Sequence, residues 1–442
     1  MENIERWEKQ LDSFDPRERL AALTRLCEKL QKGEITASTP GTDVNLHCHT
    51  FFSYNLHGFS PSKFAWLARK KGLAVAGIVD FDVFDGVDEF LAAARMLGLK
   101  ACAGMESRVF VPEFSGRVIN SPGEPGISYH MGVGFPRGEL ASDSKKFQQS
   151  LFDTAQRRNA GLISRVNKYL APVELDYEKD VKRLTPAGNV TERHICLAYA
   201  RKANAALGSP DNLKNFWEEK LGIEVSVDDL PEGVKILNAI RAKTMKRGGV
   251  GYVQPDGGSF PTMADMNNFV LAAGGIPTLT WLDGASDGEK AIEELLDIAA
   301  ESGTAALNII PDRNYTPGVR DVKLSNLQAV VAIAERRNLP VVVGTEMNSF
   351  GNKFVDAFDT EELKPLAPIF LKGAYIVYAH SVLQQKVGLG YVGAWAKKHF
   401  ADTARKNAFF EEFGRLLGPE KEHCLDGLSR NVSPQELKNR IT

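Results

Sequence analysis

The amino-acid sequence predicts an α/β fold organised around a parallel sheet, and three observations carry that expectation. Seven short apolar runs recur along the chain: "DVNLHCHT", "LAVAGIVD", "LKACAGME", "ISYHMGVGF", "GIPTLTWL", "TAALNII" and "PVVVGTEM". Helices with legible caps lie between most of them, and such alternation builds either a barrel or a doubly wound sheet. The 442 residues, 43% apolar and 25% charged, are enough to bury a large core.

Taken in order, residues 1–42 read as a helical extension. Leu11, Leu20, Leu23, Leu26 and Leu30 stand at helical spacings before "ASTPGTD" breaks the pattern. "SPSKFAWLARKKG" predicts a helix capped by Ser60, with Pro61 in its first turn and Gly72 at its end. "TMADMNNFVLAAGG" predicts another from Thr262 to Gly274, and "SNLQAVVAIAERRN" one starting near Ser325. The strand-bearing segments are 43–136 and 259–362. Residues 137–258 between them are mainly helical and far too long for an ordinary connection, so they predict an inserted domain. Residues 363–442 form a second helical extension, although "YIVYAHSVL" around His380 reads locally as a strand.

Composition narrows the function classes. A formal charge of −2 argues against nucleic acid held by charge alone. The five cysteines form no CxxC pair, which suggests reduced thiols in a cytoplasmic protein, not a disulfide framework. The N-terminus lacks the apolar core of a signal peptide, and no run approaches 18 apolar residues, so no membrane partner is expected.

The ionisable residues fall at strand ends. His47 and His49 end the first strand, Asp80 the second and Glu106 the third, while Glu346 lies near the end of the seventh. His130 lies within the fourth. In a parallel barrel the carboxyl ends share one face, and that face carries the active site. Alternation puts His47 and His49 on one side and Cys48 on the other, where it packs as a small hydrophobe. Imidazoles with carboxylates suit zinc, manganese or iron, and Glu106 is placed to bridge two ions.

These stretches resemble the PHP (polymerase and histidinol phosphatase) family of metal-dependent phosphoesterases. "NLHCHTFFS" is similar to its opening HxHxxxS, "GIVDFDVFDG" to its TDHDxxxG, "AGMES" to its G-x-E and "SYHMGV" to its single-histidine strand. "AAGGIPTLTWL" resembles the segment that ends in Ala-His-Pro, and "VVGTEMNSFG" the one reading Gly-Ser-Asp-x-His-Gly. The resemblance implies a distorted seven-stranded (β/α) TIM-like barrel. "NVTERHICLAYA" is similar to a helix start in the insertion of small-molecule PHP phosphatases, where an arginine and a histidine face the substrate phosphate. Arg193 and His194 stand at those positions, beside free backbone N–H groups of a helix capped by Thr191. Taken without the resemblance, they are a solvated helix start.

Three positions depart from the family pattern: Phe81, Trp281 and Asn348 stand where it has histidine, and Glu346 where it has aspartate. The resemblance then implies a first metal site of His47, His49, Glu106 and Glu346. A weaker second site keeps Glu106 and His130, and the third loses its ligands, with His57 slightly displaced from a ligand position. Asp80, His57, Arg193 and His194 are the candidate catalytic groups.

The expected activity is hydrolysis of a small phosphate ester by a metal-activated hydroxide. Two other readings stay open: a barrel that binds a ligand without catalysis, and a PHP-type nuclease acting on RNA ends.

Overall fold

A computed structural model of the chain describes residues 2–315 and 319–441; residues 1, 316–318 and 442 lie outside the description. Its centre is one seven-stranded sheet in sequence order: β1 (Val44–Cys48), β2 (Val75–Phe81), β3 (Ala101–Phe110), β4 (Ile127–Val133), β5 (Ile276–Trp281), β6 (Ala306–Ile309) and β7 (Val341–Val343). The sheet curls into a nearly closed barrel. Backbone bonds from Glu346 N–H to His47 C=O (2.7 Å) and from His49 N–H to Glu346 C=O (2.8 Å) join the β7 end to β1. Gly344 permits that approach, because a Cβ there would lie 2.4 Å from the His47 nitrogen.

All seven apolar runs are strands, but one runs against the rest. β4 pairs antiparallel with both β3 and β5, while the other pairings are parallel. β1 carries an extra residue against β2: Asn45 pairs with Ala76 but Cys48 with Ile78. Bulges of this kind re-aim side chains beside functional sites.

The first helices are α1 (Glu2–Gln10), α2 (Pro16–Gln31), α3 (Pro61–Lys71) and α4 (Val87–Leu97). Leu11, Leu23 and Leu26 enter the barrel core, whereas Leu20 is exposed and not part of the apolar stripe expected of it. The α3 signals match: Ser60 Oγ accepts from Lys63 N–H, and Gly72 closes the helix in the left-handed region.

Next come α5 (Ser142–Leu170), α6 (Glu192–Leu207), α7 (Pro210–Leu221) and α8 (Val234–Thr244), which enclose a separate core around Leu170, Tyr199 and Trp217. α9 (Met263–Ala272) is capped by Thr262, and α10 (Asp287–Lys290) and α11 (Ile292–Glu301) follow. α12 (Arg320–Arg336) starts five residues before the expected Ser325.

α13 (Ala367–Lys386), α14 (Ala394–His399), α15 (Thr403–Leu416) and α16 (Pro434–Ile441) complete the chain and share the barrel core. The strand-like run at His380 is helical, lying within α13 and buried on nearly every side. No described helix is long and apolar enough to cross a membrane.

Candidate metal centre

Strand alternation and the bulge in β1 bring His47 and His49 to one point. Their rings lie 5.3 Å apart, and both are fully buried. Glu106 meets them from β3: its Oε2 is 3.5 Å from His47 Nε2 and 3.2 Å from His49 Nε2. Among the described residues, these three form the one cluster whose ligand atoms converge this closely. Cys48 points the other way, with its Sγ 3.6 Å from Met347 Sδ.

The other ring nitrogens are held. His47 Nδ1 lies 3.0 Å from Asn308 Oδ1, and His49 Nδ1 lies 3.0 Å from Ser53 Oγ. Ser53 in turn donates to Asp80 at 2.6 Å, so its oxygen is left to accept from the imidazole. With Nδ1 of His49 protonated, its Nε2 carries a lone pair; the Asn308 amide nitrogen also lies 3.2 Å from His47 Nδ1, and that ring takes the same form where the Asn308 oxygen accepts. Both Nε2 atoms are buried without a hydrogen-bond partner.

That donor set fits a divalent ion. With metal–ligand bonds of about 2.0–2.1 Å, neighbouring ligands of a tetrahedral ion stand about 3.3 Å apart, close to the two separations seen here. Two imidazoles and a carboxylate suit zinc, manganese or iron. Burial opposes the charge on Glu106, yet the adjacent His47 and His49 outweigh it and hold the carboxyl down at about 2. For His47, burial drives the pKa down, but Glu106 and Glu346 prevail and leave it raised.

The remaining candidates from the sequence are not among the three converging groups, although Glu346 and Asp80 border them. His130 does not join the cluster, and the reason is the antiparallel register. Glu106 pairs with Met131, so its face of the sheet is opposite that of the Ser107–His130 pair. His130 instead turns toward α9, with Nε2 2.6 Å from Asn267 Oδ1. Glu346 contributes its backbone to barrel closure and takes a left-handed φ of 61°, but its carboxylate is not among the three converging groups. Asp80 accepts from Thr50 N–H and Oγ1 (2.8 and 2.6 Å) as well as from Ser53, so it organises the loop behind His49. His57 is exposed and stacked on Phe59.

Arg193 and His194 are also committed. Arg193 bonds Asn238 (2.7 Å) and Ser349 (2.6 Å), tying the insertion to the loop after β7. His194 caps its own helix, accepting from Thr191 N–H at 3.1 Å, and burial pushes its pKa down to about 3.

The aromatic replacements differ in effect. Phe81 pairs with Glu106 and stacks on His49, with centroids 4.5 Å apart. Trp281 is buried at the end of β5; the register puts Thr280, not Trp281, on the Glu106 face beside Asn308. Asn308 and Ser53 are the site residues that the sequence reading gave no role. Asn308 is the lone polar residue of an apolar strand, and Ser53 closes the HxHxxxS stretch.

No family model matches the sequence, and no curated protein matches it. Two solved structures are similar at 17% identity. One is an amidohydrolase from Chromobacterium violaceum with bound sulfate and no metal, with a TM-score of 0.49 over 70% of this chain and 88% of that one. The other is provisionally described as a metal-dependent phosphoesterase from Bifidobacterium adolescentis, with a TM-score of 0.48 over 75% of this chain and 98% of that one.

Proposed function

We propose that this chain is a PHP-like metal-dependent phosphoesterase acting on a small phosphorylated metabolite or nucleotide. The observation that carries this reading is the convergence of two buried Nε2 atoms and a Glu106 oxygen at tetrahedral-ligand spacing. His47, His49 and Glu106 would hold one divalent ion. Such an ion supplies a water of lowered pKa and positive charge for phosphoryl oxygens.

The chain's own residues prepare the centre for that role. The Ser53–Asp80 pair favours the His49 tautomer that aims its lone pair inward, and Asn308 holds the His47 ring in place. Glu106 stays ionised across the neutral range. Phe81 covers one face of His49 and keeps water from it.

The stacking of Phe81 on His49 also favours a second reading, in which the barrel binds a phosphorylated ligand without hydrolysing it. Metal analysis after reconstitution with zinc or manganese, beside assays on a phosphate-ester panel, separates the two. One bound equivalent is expected, with hydrolysis lost in a His47→Ala/His49→Ala variant. Protein that binds no metal overturns both metal-based claims. Metal-loaded wild type that hydrolyses no better than the variant supports the ligand-binding reading.

A further inference from the structure

A second concentration of charge lies beside the metal-ligand cluster. Arg108 follows Glu106 by two residues on β3, so it shares its face and stands about 7 Å further along the strand. Tyr129 pairs with it across the antiparallel register. The guanidinium of Arg108 lies 4.3 Å from the Phe260 ring centre, and that of Arg158, on α5, lies 5.3 Å from the same ring. Two cations are thus held over one aromatic ring.

The neighbouring charges do not balance. Arg108 is paired with Glu124 at 2.9 Å. Arg241 and Lys246 share the single carboxylate of Glu192, at 2.9 and 2.8 Å. Arg158 makes no hydrogen bond or ion pair with a described residue, although it is open to solvent. Asp82, Glu192 and Glu124 act on it without making an ion pair, and Ser107 donates to Asp82 Oδ1 at 2.5 Å.

A guanidinium with no direct ion pair, beside two cations that share one carboxylate, is suited to an external oxyanion. We propose that the face formed where Arg108 and Tyr129 of the barrel meet Arg158 of α5 is a binding subsite for a phosphate-type dianion. Arg158 is its anchoring cation, and Arg108 and Tyr129 line its barrel side. Arg193 and His194 stand apart from this face, with Arg193 bonded to Asn238 and Ser349 and His194 Nδ1 to the Thr191 N–H. That the dianion belongs to a hydrolysable ester rests on the phosphoesterase reading; the binding itself does not.

The test is calorimetric titration of inorganic phosphate into the full chain, with and without zinc. Arg158→Gln removes no hydrogen bond or ion pair, only the approach to Phe260, so it should fold as wild type, and Arg157→Gln on the same helix serves as control. The expected result is phosphate affinity at least about tenfold weaker in R158Q (1.4 kcal/mol), in both metal states, with R157Q unchanged. Equal affinity in R158Q and wild type overturns the subsite. So does phosphate binding that needs the metal and vanishes in the His47→Ala/His49→Ala variant. Phosphate binding that depends on Arg158 in a protein without phosphatase activity supports the subsite while removing the hydrolytic reading.

Discussion

Asp80 reaches His49 through a single hydroxyl, that of Ser53, which lies 2.6 Å from the carboxylate and 3.0 Å from the imidazole Nδ1. The carboxylate is anchored by the Thr50 backbone and hydroxyl, so the relay is rigid. Ser53→Ala deletes the relay without touching a ligand atom. Loss of an outer partner of a metal-bound histidine costs about 10- to 100-fold in metal affinity. That weakening is the expected outcome of competition titration against a chromophoric chelator, with the melting temperature changed little. Wild-type affinity in the variant would show that Ser53 does not set the ring.

Phe81 makes the opposite experiment possible. It pairs with Glu106 on the same face and lies against His49. Phe81→His places a third imidazole beside the existing cluster in a similar volume. Metal content measured by mass spectrometry should rise from about one equivalent toward two, or one ion should bind more tightly because it gains a ligand. Unchanged stoichiometry and affinity would mean that the new ring points away.

The strands were legible because short apolar runs bounded by Gly, Pro and caps have few other fates. Their directions were not. "ISYHMGVGF" has the same apolar character whether it runs parallel or antiparallel, and the reversal of β4 turns His130 away from Glu106. "YIVYAHSVL" was misleading because a helix buried on most faces shows no polar stripe to reveal its period. The His47–His49 pair was legible from alternation. Asn308 was not, since a lone asparagine in an apolar strand gains meaning only when β6 faces β1. Arg158 left no mark either, because a charge on a helix reads as solvated until Phe260 and Arg108 are set beside it.

Three histidines outside the His47–His49–Glu106 cluster make the fold sensitive to acid. Burial lowers His130 and His380 to about 4 and His194 to about 3. His380 is committed in its neutral form: Nε2 faces the Gly274 carbonyl at 3.0 Å, and Nδ1 accepts from Tyr391 N–H at 2.9 Å. In the unfolded chain each ring takes a proton near pH 6.5. Below that value the unfolded state binds more protons, so stability falls as pH falls toward the folded pKa. Each ring at about 4 contributes a loss of about 3 kcal/mol over that window. Urea unfolding at pH 7.5, 6 and 5 should show the decline, and His380→Gln should flatten part of it. An unaltered slope would mean that His380 titrates alike in both states.

Asp356 gives the reverse dependence. It lies in the segment after β7 that also carries Glu346 and Ser349, and it is 3% exposed. Among the described residues, neither carboxylate oxygen has a hydrogen-bond partner, while nearby Lys353 pairs with Asp312 at 2.8 Å instead. Burial, followed by the charge of Asp312, raises its pKa to about 8. The folded state therefore keeps a proton that the unfolded chain releases near 3.8. The contribution is fully present below that value and is lost as pH rises toward 8. Asp356→Asn keeps the shape and removes the ionisation. It should stabilise the protein on the order of 1–3 kcal/mol at pH 8 and much less at pH 5, as read by calorimetric melting at the two values. A variant less stable than wild type at pH 8 would show that the carboxylate is charged in the fold and held there by a cation.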